Sequence, residues 1–139
     1  MDTNQRMSAI FSFDIDKARG LVRITMAGLF TPADIRNFLA ARRDAHVALG
    51  CAPNMHVTLN DVRGMKIQPQ DSVAGFQEML AAPEYRSRRL AFVAARTLAR
   101  SQLMRALSSR EARCFEDVAH AEAWLFAEER DVAPRRAFG

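Results

Sequence analysis

The chain has 139 residues, enough for one domain with a substantial core and too few for two. Hydrophobic residues make up 49% and charged residues 26%, which is ordinary for a soluble globular chain and excludes a disordered or fibrous class. The net charge of +4 comes mostly from arginine and favours anionic partners only mildly. We expect one domain over residues 10–130, with flexible ends over 1–9 and 131–139.

Targeting signals and metal motifs are not visible. No apolar run is long enough for a membrane span, and the N-terminus lacks the apolar segment of a signal peptide, so we expect a cytoplasmic protein. Cys51 and Cys114 do not form a CxxC motif, which argues against a disulfide framework and a zinc site. We expect them to be small buried or half-buried thiols.

The first two elements are predicted to be a β-hairpin. Residues 10–16, IFSFDID, alternate apolar and polar side chains, and so do residues 21–28, LVRITMAG. The intervening KARG ends in Gly20, which can adopt a positive φ.

A helix is predicted next, in TPADIRNFLAARRDAHVALG. Thr31 is the expected N-cap, Pro32 the first helical residue, Asp34 the acidic member of a capping box and Gly50 the terminator.

Alternating strands and helices follow. The predicted strands are MHVTLN, RLAFVAA and ARCFEDV. The first predicted helix carries Val73, Phe76, Met79 and Leu80 and is interrupted near Pro83, and the second is TLARSQLMRALSS, capped by Thr97. The third is VAHAEAWLFAEER, with Ala121, Trp124, Leu125 and Glu128 facing inward. The order ββαβαβαβα predicts a single α/β domain with a mixed, mainly parallel five-stranded sheet. We expect helices chiefly on one face, with the other face solvated or meeting another subunit.

Catalytic signals are weak. The three histidines fall in different elements without metal-ligand spacing, and nucleophile-elbow and phosphate-loop motifs are missing, so we expect no catalytic residue, metal or cofactor. His56, Thr58 and Asn60 share one strand face. They are interpreted first as a hydrogen-bonded strand face or a dimer contact, and second as a small polar site that would support an enzyme using His56 and Asn60.

Residues 86–113 carry eight arginines and one acid, Glu111. A solvated arginine face is the simpler interpretation, and a patch for phosphate, an acidic protein or lipid headgroups is the alternative. Nucleic acid is not an expected partner, because helix-turn-helix, zinc-finger and aromatic strand motifs are missing.

Ser72 beside Asp71 marks the expected start of the second helix, in DSVAG. One interpretation is that either residue caps the helix and satisfies its first N–H groups. The other is that Ser72 accepts a phosphate, which a helix N-terminus favours electrostatically.

Several motifs occur in a characteristic order over residues 10–128: F-x-F-D, VRITMAGLFTPADI, HVTLNDVRG, RLAFVA and ARCFEDVAHAEAWL. In the order and spacing of these motifs, the chain resembles the STAS domain of bacterial anti-sigma-factor antagonists, and in particular the small STAS/SEC14 domain proteins. In the antagonists, a strand ending in Asp leads to an Asp-Ser-Ser-Gly helix start whose serine is phosphorylated by an anti-sigma kinase. The resemblance implies that Asp61 is the strand end and Ser72 the candidate phosphoacceptor, although DSVAG and the longer loop VRGMKIQPQ depart from that pattern.

We therefore expect a non-enzymatic interaction or regulatory module that forms a homodimer and binds a protein partner or small ligand near the start of the second helix. The polar recognition loop is assigned to Asp61, Arg63, Lys66, Gln70 and Ser72. The alternative is a carrier of lipids or small apolar ligands of the CRAL-TRIO-like type. Its apolar cleft would be lined by Met65, Phe76, Met79, Leu80 and Met104.

Overall fold

The described part of the computed structural model comprises residues 8–52, 54–98, 100 and 112–128, without the side chains of Leu80, Ala81 and Glu84. It contains one five-stranded sheet in the order β1-β2-β3-β4-β5. The elements are β1 Ile10–Asp16, β2 Leu21–Gly28, α1 Pro32–Leu49, β3 Val57–Met65, α2 Gln70–Ala81, a 3₁₀ turn Pro83–Tyr85, β4 Arg89–Val93, β5 Arg113–Phe115 and α3 Val118–Leu125.

The sheet is mixed and mainly parallel, as predicted. Strands β1 and β2 form the antiparallel hairpin, and the pairs β2–β3, β3–β4 and β4–β5 are parallel. The helix predicted over 97–109 lies mostly outside the described residues. At its start, Thr97 Oγ1 accepts a hydrogen bond from the Arg100 backbone N–H at 3.3 Å, as an N-cap does.

Helix α1 begins and ends as its sequence predicts. Thr31 Oγ1 accepts from the Asp34 N–H at 3.1 Å, while Asp34 Oδ2 accepts from the Thr31 N–H at 2.9 Å, which completes the capping box. Gly50 ends the helix with a left-handed φ of 73°.

Strand β3 differs most from its prediction, because it continues through VRGM to Met65 where a loop was expected. The cause is pairing with a distant segment: beyond a register shift, Ala27 and Gly28 of β2 pair with Gly64 and Met65. Gly64 permits this approach, since a Cβ atom there would lie 2.8 Å from the Cβ of Ala27.

One face of the sheet, here called the α1–α2 face, holds the larger core. Alternate side chains of β2 and β4 pack there, including Ile24, Met26 and Phe92. Five phenylalanines surround them, with centroid separations of 5.0 to 6.5 Å: Phe11, Phe13, Phe30, Phe38 and Phe76. Such edge and stacked contacts add to the free energy gained from the buried area.

The opposite face, here called the α3 face, holds a smaller core. Leu59 and Val93 of the sheet pack there against Ala121 and Leu125 of α3. The described helices therefore lie chiefly on one face, as expected, with α3 on the other. The prediction that Glu128 faces inward is wrong, because α3 ends at Leu125 and leaves Glu128 exposed.

Candidate functional site

The segment between β3 and α2 is held by Gln68, a residue that the sequence analysis did not single out. Its side chain is buried. Its Oε1 accepts from the Phe30 N–H at 2.9 Å, and its Nε2 donates to the Gly28 carbonyl at 3.0 Å and to the Lys66 carbonyl at 2.5 Å. One amide thus satisfies backbone groups of two chain segments and fixes them relative to each other.

The residues around Gln68 face outward. Lys66, Pro69 and Gln70 are exposed, and Ile67 exposes 51% of its surface. We name residues 66–70 the anchored loop. It combines a fixed backbone with a cationic, an apolar and an amide side chain presented to solvent.

Neither Ser72 nor Asp71 caps α2, so that prediction is wrong. The helix begins at Gln70, its N-cap is Pro69, and Pro69 makes no side-chain capping bond. Ser72 therefore lies within the first turn, fully buried, and its hydroxyl donates to the Phe30 carbonyl. Phosphorylation of Ser72 stays a prediction, and it would require this contact to open because a phosphate could not be accommodated there.

Asp61 and Arg63 form an ion pair with each other. Arg63 Nε lies 3.0 Å from Asp61 Oδ1, and Arg63 Nη2 lies 2.7 Å from Asp61 Oδ2. The hydrogen bond from Arg63 lowers the pKa of Asp61, so the carboxylate stays ionised. That same bond raises the pKa of Arg63, with a smaller contribution from Asp117 at the N-cap of α3.

The structure thus divides the five residues assigned to one recognition loop. Asp61 follows Leu59 by two positions and lies on the α3 face, whereas Ser72 lies in the first turn of α2, on the opposite face, with its hydroxyl bonded to the Phe30 carbonyl. Lys66 and Gln70 remain together in the anchored loop. The sequence offered no signal for this division, because it depends on the extension of β3.

The predicted apolar cleft is mostly core. Phe76 and Met79 are buried, with the ring of Phe76 5.6 Å from that of Phe30, and Met65 packs against the same cluster. Met104 and the side chain of Leu80 lie outside the described residues. Met79 also borders a groove of about 350 Å³ between α1 and α2, whose apolar lining includes Ile35 and Leu39.

The polar strand face of His56, Thr58 and Asn60 is buried on the α1–α2 face. Thr58 Oγ1 lies 2.5 Å from Ser87 Oγ, which lies 3.4 Å from His56 Nε2. The interpretation as a hydrogen-bonded strand face is therefore confirmed for Thr58. The alternative of a dimer contact is wrong for these three residues, because they are already buried within the single chain.

The arginine-rich segment is only partly a solvated face. Arg89 is buried and donates from Nη1 to the Trp124 carbonyl at 2.6 Å, while Arg113 lies 5.6 Å from the centre of the Trp124 ring. Arg96 pairs with Glu116 at 2.7 Å. Arg89 on β4 and Arg113 on β5 therefore contact α3. Arg96, which follows β4, pairs with the residue that follows β5.

Cys51 and Cys114 are half-buried and free, as expected. Burial raises the pKa of the Cys114 thiol, which makes a reactive thiolate less available. Within the described ranges, His, Cys, Asp and Glu side chains form no group able to hold a metal ion. None of the helices described there combines the length and the apolar character needed to cross a bilayer.

Comparison with known proteins bears on the fold. No protein-family model matches the chain, and no curated protein matches it. Among solved structures, an uncharacterized protein from the DUF3478 family of Shewanella loihica PV-4, with a SpoIIAA-like fold, matches with a TM-score of 0.65. The match covers 85% of this chain and 94% of that chain, at 16% sequence identity.

This chain has a SpoIIAA-like fold. The STAS-type architecture expected from the sequence is therefore confirmed. The likeness concerns the fold alone, so the site must be argued from this chain's own residues.

Proposed function

We propose that the protein is a non-enzymatic STAS-type interaction module that binds a protein partner through the anchored loop. The fold suggests a regulatory or interaction role, and the loop lies near the start of α2, where the sequence analysis expected a partner. Within the polar set predicted there, Lys66 and Gln70 are retained in this proposal, and Ile67 is added. A contribution from the Asp61–Arg63 pair stays a separate prediction.

The observation that supports the proposal is the set of hydrogen bonds made by Gln68. A surface loop normally loses conformational entropy when it binds, and this loss weakens the complex. Here a buried amide already fixes the backbone, while Ile67 remains 51% exposed. A rigid loop with an exposed apolar side chain next to a lysine suits an apolar pocket with acidic residues at its rim.

The proposal is tested by affinity capture from the organism that makes the protein, with quantitative mass spectrometry of the bound proteins. Three baits are compared: the wild type, Ile67→Asp, and the control Val47→Asp on α1. Val47 is 77% exposed, so Val47→Asp replaces an exposed apolar side chain by a carboxylate, as Ile67→Asp does, but at a position outside the anchored loop. We expect one partner to be lost with Ile67→Asp and retained with Val47→Asp.

Retention of every captured protein by Ile67→Asp would contradict the proposal, provided that circular dichroism shows the variant to be folded. Loss of the same proteins with both variants would also contradict it, because it would indicate nonspecific apolar contact.

A second candidate function, a carrier of small apolar ligands, is favoured by the α1–α2 groove. The groove combines apolar walls at Ile35, Leu39 and Met79 with charged residues such as Arg36 and Glu78. Organic extraction of the purified protein, followed by mass spectrometry, tests this function. We expect a carrier to release one lipid class from the wild type and much less from Leu39→Glu.

Homodimer formation stays a proposal, with β1 as the candidate contact. This strand is at the edge of the sheet, and Ile10 at its start is 66% exposed. Edge strands offer backbone donors and acceptors to a second chain. Light scattering should show twice the monomer mass for the wild type and the monomer mass for Ile10→Asp, a substitution that puts a charge on the exposed start of the edge strand.

A further inference from the structure

A small recess lies against the α1–α2 face of the sheet and shares no lining residue with the anchored loop. Its accessible volume is about 50 Å³. Ile24, Phe38 and Leu90 form apolar parts of its wall, and the polar parts come from β3, from α1 and from residues 85–87. It is therefore built from β2, α1, β3, α2, the segment 82–87 and β4, which the fold brings together.

Two of its polar side chains satisfy each other. Thr58 Oγ1 and Ser87 Oγ are 2.5 Å apart, and Ser87 Oγ lies 3.4 Å from His56 Nε2. These two hydroxyl groups therefore already have hydrogen-bond partners within the chain and do not need one from a ligand.

Asn60 differs from them. It is 4% exposed and lines the recess, and its Oδ1 has no hydrogen-bond partner among the residues that the structure describes. A buried amide oxygen without a partner costs about 1–3 kcal/mol, and most buried polar groups in folded proteins are paired. The position therefore calls for a molecule that donates a hydrogen bond.

The charge of the lining is positive. Its two charged members are Arg42 and Arg86. The Arg42 guanidinium lies 4.1 Å from the centre of the Tyr85 ring and donates from Nη1 to the Met79 carbonyl at 3.1 Å, which fixes its position. Burial, with smaller effects of His56 and Arg42, lowers the pKa of the nearby His46 to about 4, so His46 is neutral at pH 7.

We propose that this recess binds a small organic anion that carries a hydroxyl group beside its carboxylate. The hydroxyl would donate to Asn60 Oδ1, and the carboxylate would be attracted by Arg42 and Arg86. The volume of about 50 Å³ limits the ligand to a few heavy atoms, since sites for drug-sized ligands and cofactors usually exceed about 300 Å³. This site is independent of the anchored loop and of any partner bound there.

The experiment is a titration followed by amide NMR, with glycolate as the probe. Acetate lacks the hydroxyl group and glycolamide lacks the charge, so they test the two recognition elements separately. We expect saturable shifts at His46, Asn60 and Ser87 with glycolate, and binding weaker by roughly tenfold for each analogue, the effect of losing one hydrogen bond to a charged or buried group.

Three variants complete the test. Asn60→Ala removes the acceptor, Arg86→Gln removes an exposed charge without disturbing the core, and Arg36→Gln removes another exposed charge, in the α1–α2 groove. We expect weaker glycolate binding in the first two and unchanged binding in the third. If Asn60→Ala does not fold, the comparison of Arg86→Gln with Arg36→Gln decides.

The proposal is overturned if glycolate produces no saturable shifts at these residues. It is equally overturned if acetate binds as tightly as glycolate, because Asn60 would then play no part. Equal weakening by Arg86→Gln and Arg36→Gln would also overturn it, since it would reduce the effect to general charge attraction.

Discussion

The two faces of the sheet are stabilised in different ways. The α1–α2 face has a cluster of five phenylalanines under two helices, whereas the α3 face has a smaller aliphatic core under a helix of 8 residues. Ion pairs supplement the second face: Glu122 on α3 lies 2.8 Å from Arg23 and 3.2 Å from Arg19. Packing is nearly independent of salt, whereas such partly exposed pairs are screened.

The comparison also bears on function. The anchored loop is attached to the α1–α2 face through Phe30 and Gly28, so its geometry depends on the better packed side of the molecule. A recognition surface supported in this way keeps its shape when the α3 face is perturbed. Five predictions test this difference between the faces.

Phe38→Ala should produce the largest effect. Phe38 is 1% exposed, and its ring lies 5.0 Å from Phe13 and 5.2 Å from Phe11. We expect a loss of about 3–5 kcal/mol in the free energy of unfolding, measured by urea denaturation. Leu125→Ala on the α3 face should cost less, about 2–3 kcal/mol, since fewer atoms are removed. A larger loss for Leu125→Ala would reverse the ranking of the two faces.

Gln68→Leu should cost about 1–3 kcal/mol in the free energy of unfolding, because it leaves the Phe30 N–H without its partner and removes one of the two hydrogen bonds to the Gly28 carbonyl, the other coming from the Lys66 N–H at 3.3 Å. Gln70→Leu, two positions later and exposed, is the control and should be nearly neutral. Hydrogen exchange should be faster at the Phe30 amide in Gln68→Leu alone. Equal stability of the two variants would show that Gln68 does not hold the loop.

Gly64→Ala should cost about 1–3 kcal/mol, because the new Cβ would lie 2.8 Å from the Cβ of Ala27, which cannot rotate away. Gly75→Ala is the matched substitution in α2. There the new Cβ would lie 3.1 Å from Ile35 Cδ1, the end of a flexible side chain, and alanine favours the helix by about 1 kcal/mol. Thermal unfolding should therefore show a marked decrease in Tm only for Gly64→Ala.

The pH dependence of stability should reveal His46. Because its pKa is lowered to about 4 in the folded protein from an ordinary 6.5, the unfolded chain binds the extra proton between these values. The contribution of neutral His46 to the free energy of unfolding is therefore fully present above pH 6.5 and decreases as the pH falls toward 4.

His46 is faced by His56, Arg42 and Tyr85, which surround its ring. Between pH 6.5 and 4, we expect the free energy of unfolding of His46→Gln to decrease by about 1–2 kcal/mol less than that of the wild type, a range that allows for partial exposure of the ring. Identical pH profiles of the two proteins between 6.5 and 4 would contradict the assignment.

Glu122→Gln should have the smallest effect, below about 1 kcal/mol, because the pairs with Arg19 and Arg23 are partly exposed. The hydrogen bond from Arg23 lowers the pKa of Glu122, so this contribution is present above its ordinary pKa and is lost as the pH falls below it. The difference from the wild type should shrink in 1 M salt. A loss that is large and independent of salt would mean that the α3 face depends on this carboxylate for packing.

Local patterns predicted the fold well. The alternation in IFSFDID and LVRITMAG gave the bounds of β1 and β2, and the Thr31–Asp34 capping box predicted the start of α1. These signals lie within a few residues of the structure that they specify. The order of elements then limited the sheet to a mixed, mainly parallel arrangement.

The candidate site was harder to predict from the sequence, because it depends on contacts between segments that are distant along the chain. Gln68 bonds to residues about 40 positions away, and β3 extends because Gly64 meets Ala27. Ser72 was expected at the start of a helix that begins two residues earlier, and its true partner is the Phe30 carbonyl. Nothing in the local composition of the loop distinguishes Gln68, which is buried, from Gln70, which is exposed.

The most direct measurement is photo-crosslinking in the native cell, with a photoreactive phenylalanine analogue placed at position 67 in one variant and at position 47 in another. Both positions are exposed and apolar, and only position 67 belongs to the anchored loop. If the loop is the binding surface, one discrete crosslinked partner should form from position 67, and it should disappear when Gln68→Leu is added. Crosslinks to the same proteins from both positions, or a crosslink from position 67 that persists in Gln68→Leu, would contradict the account.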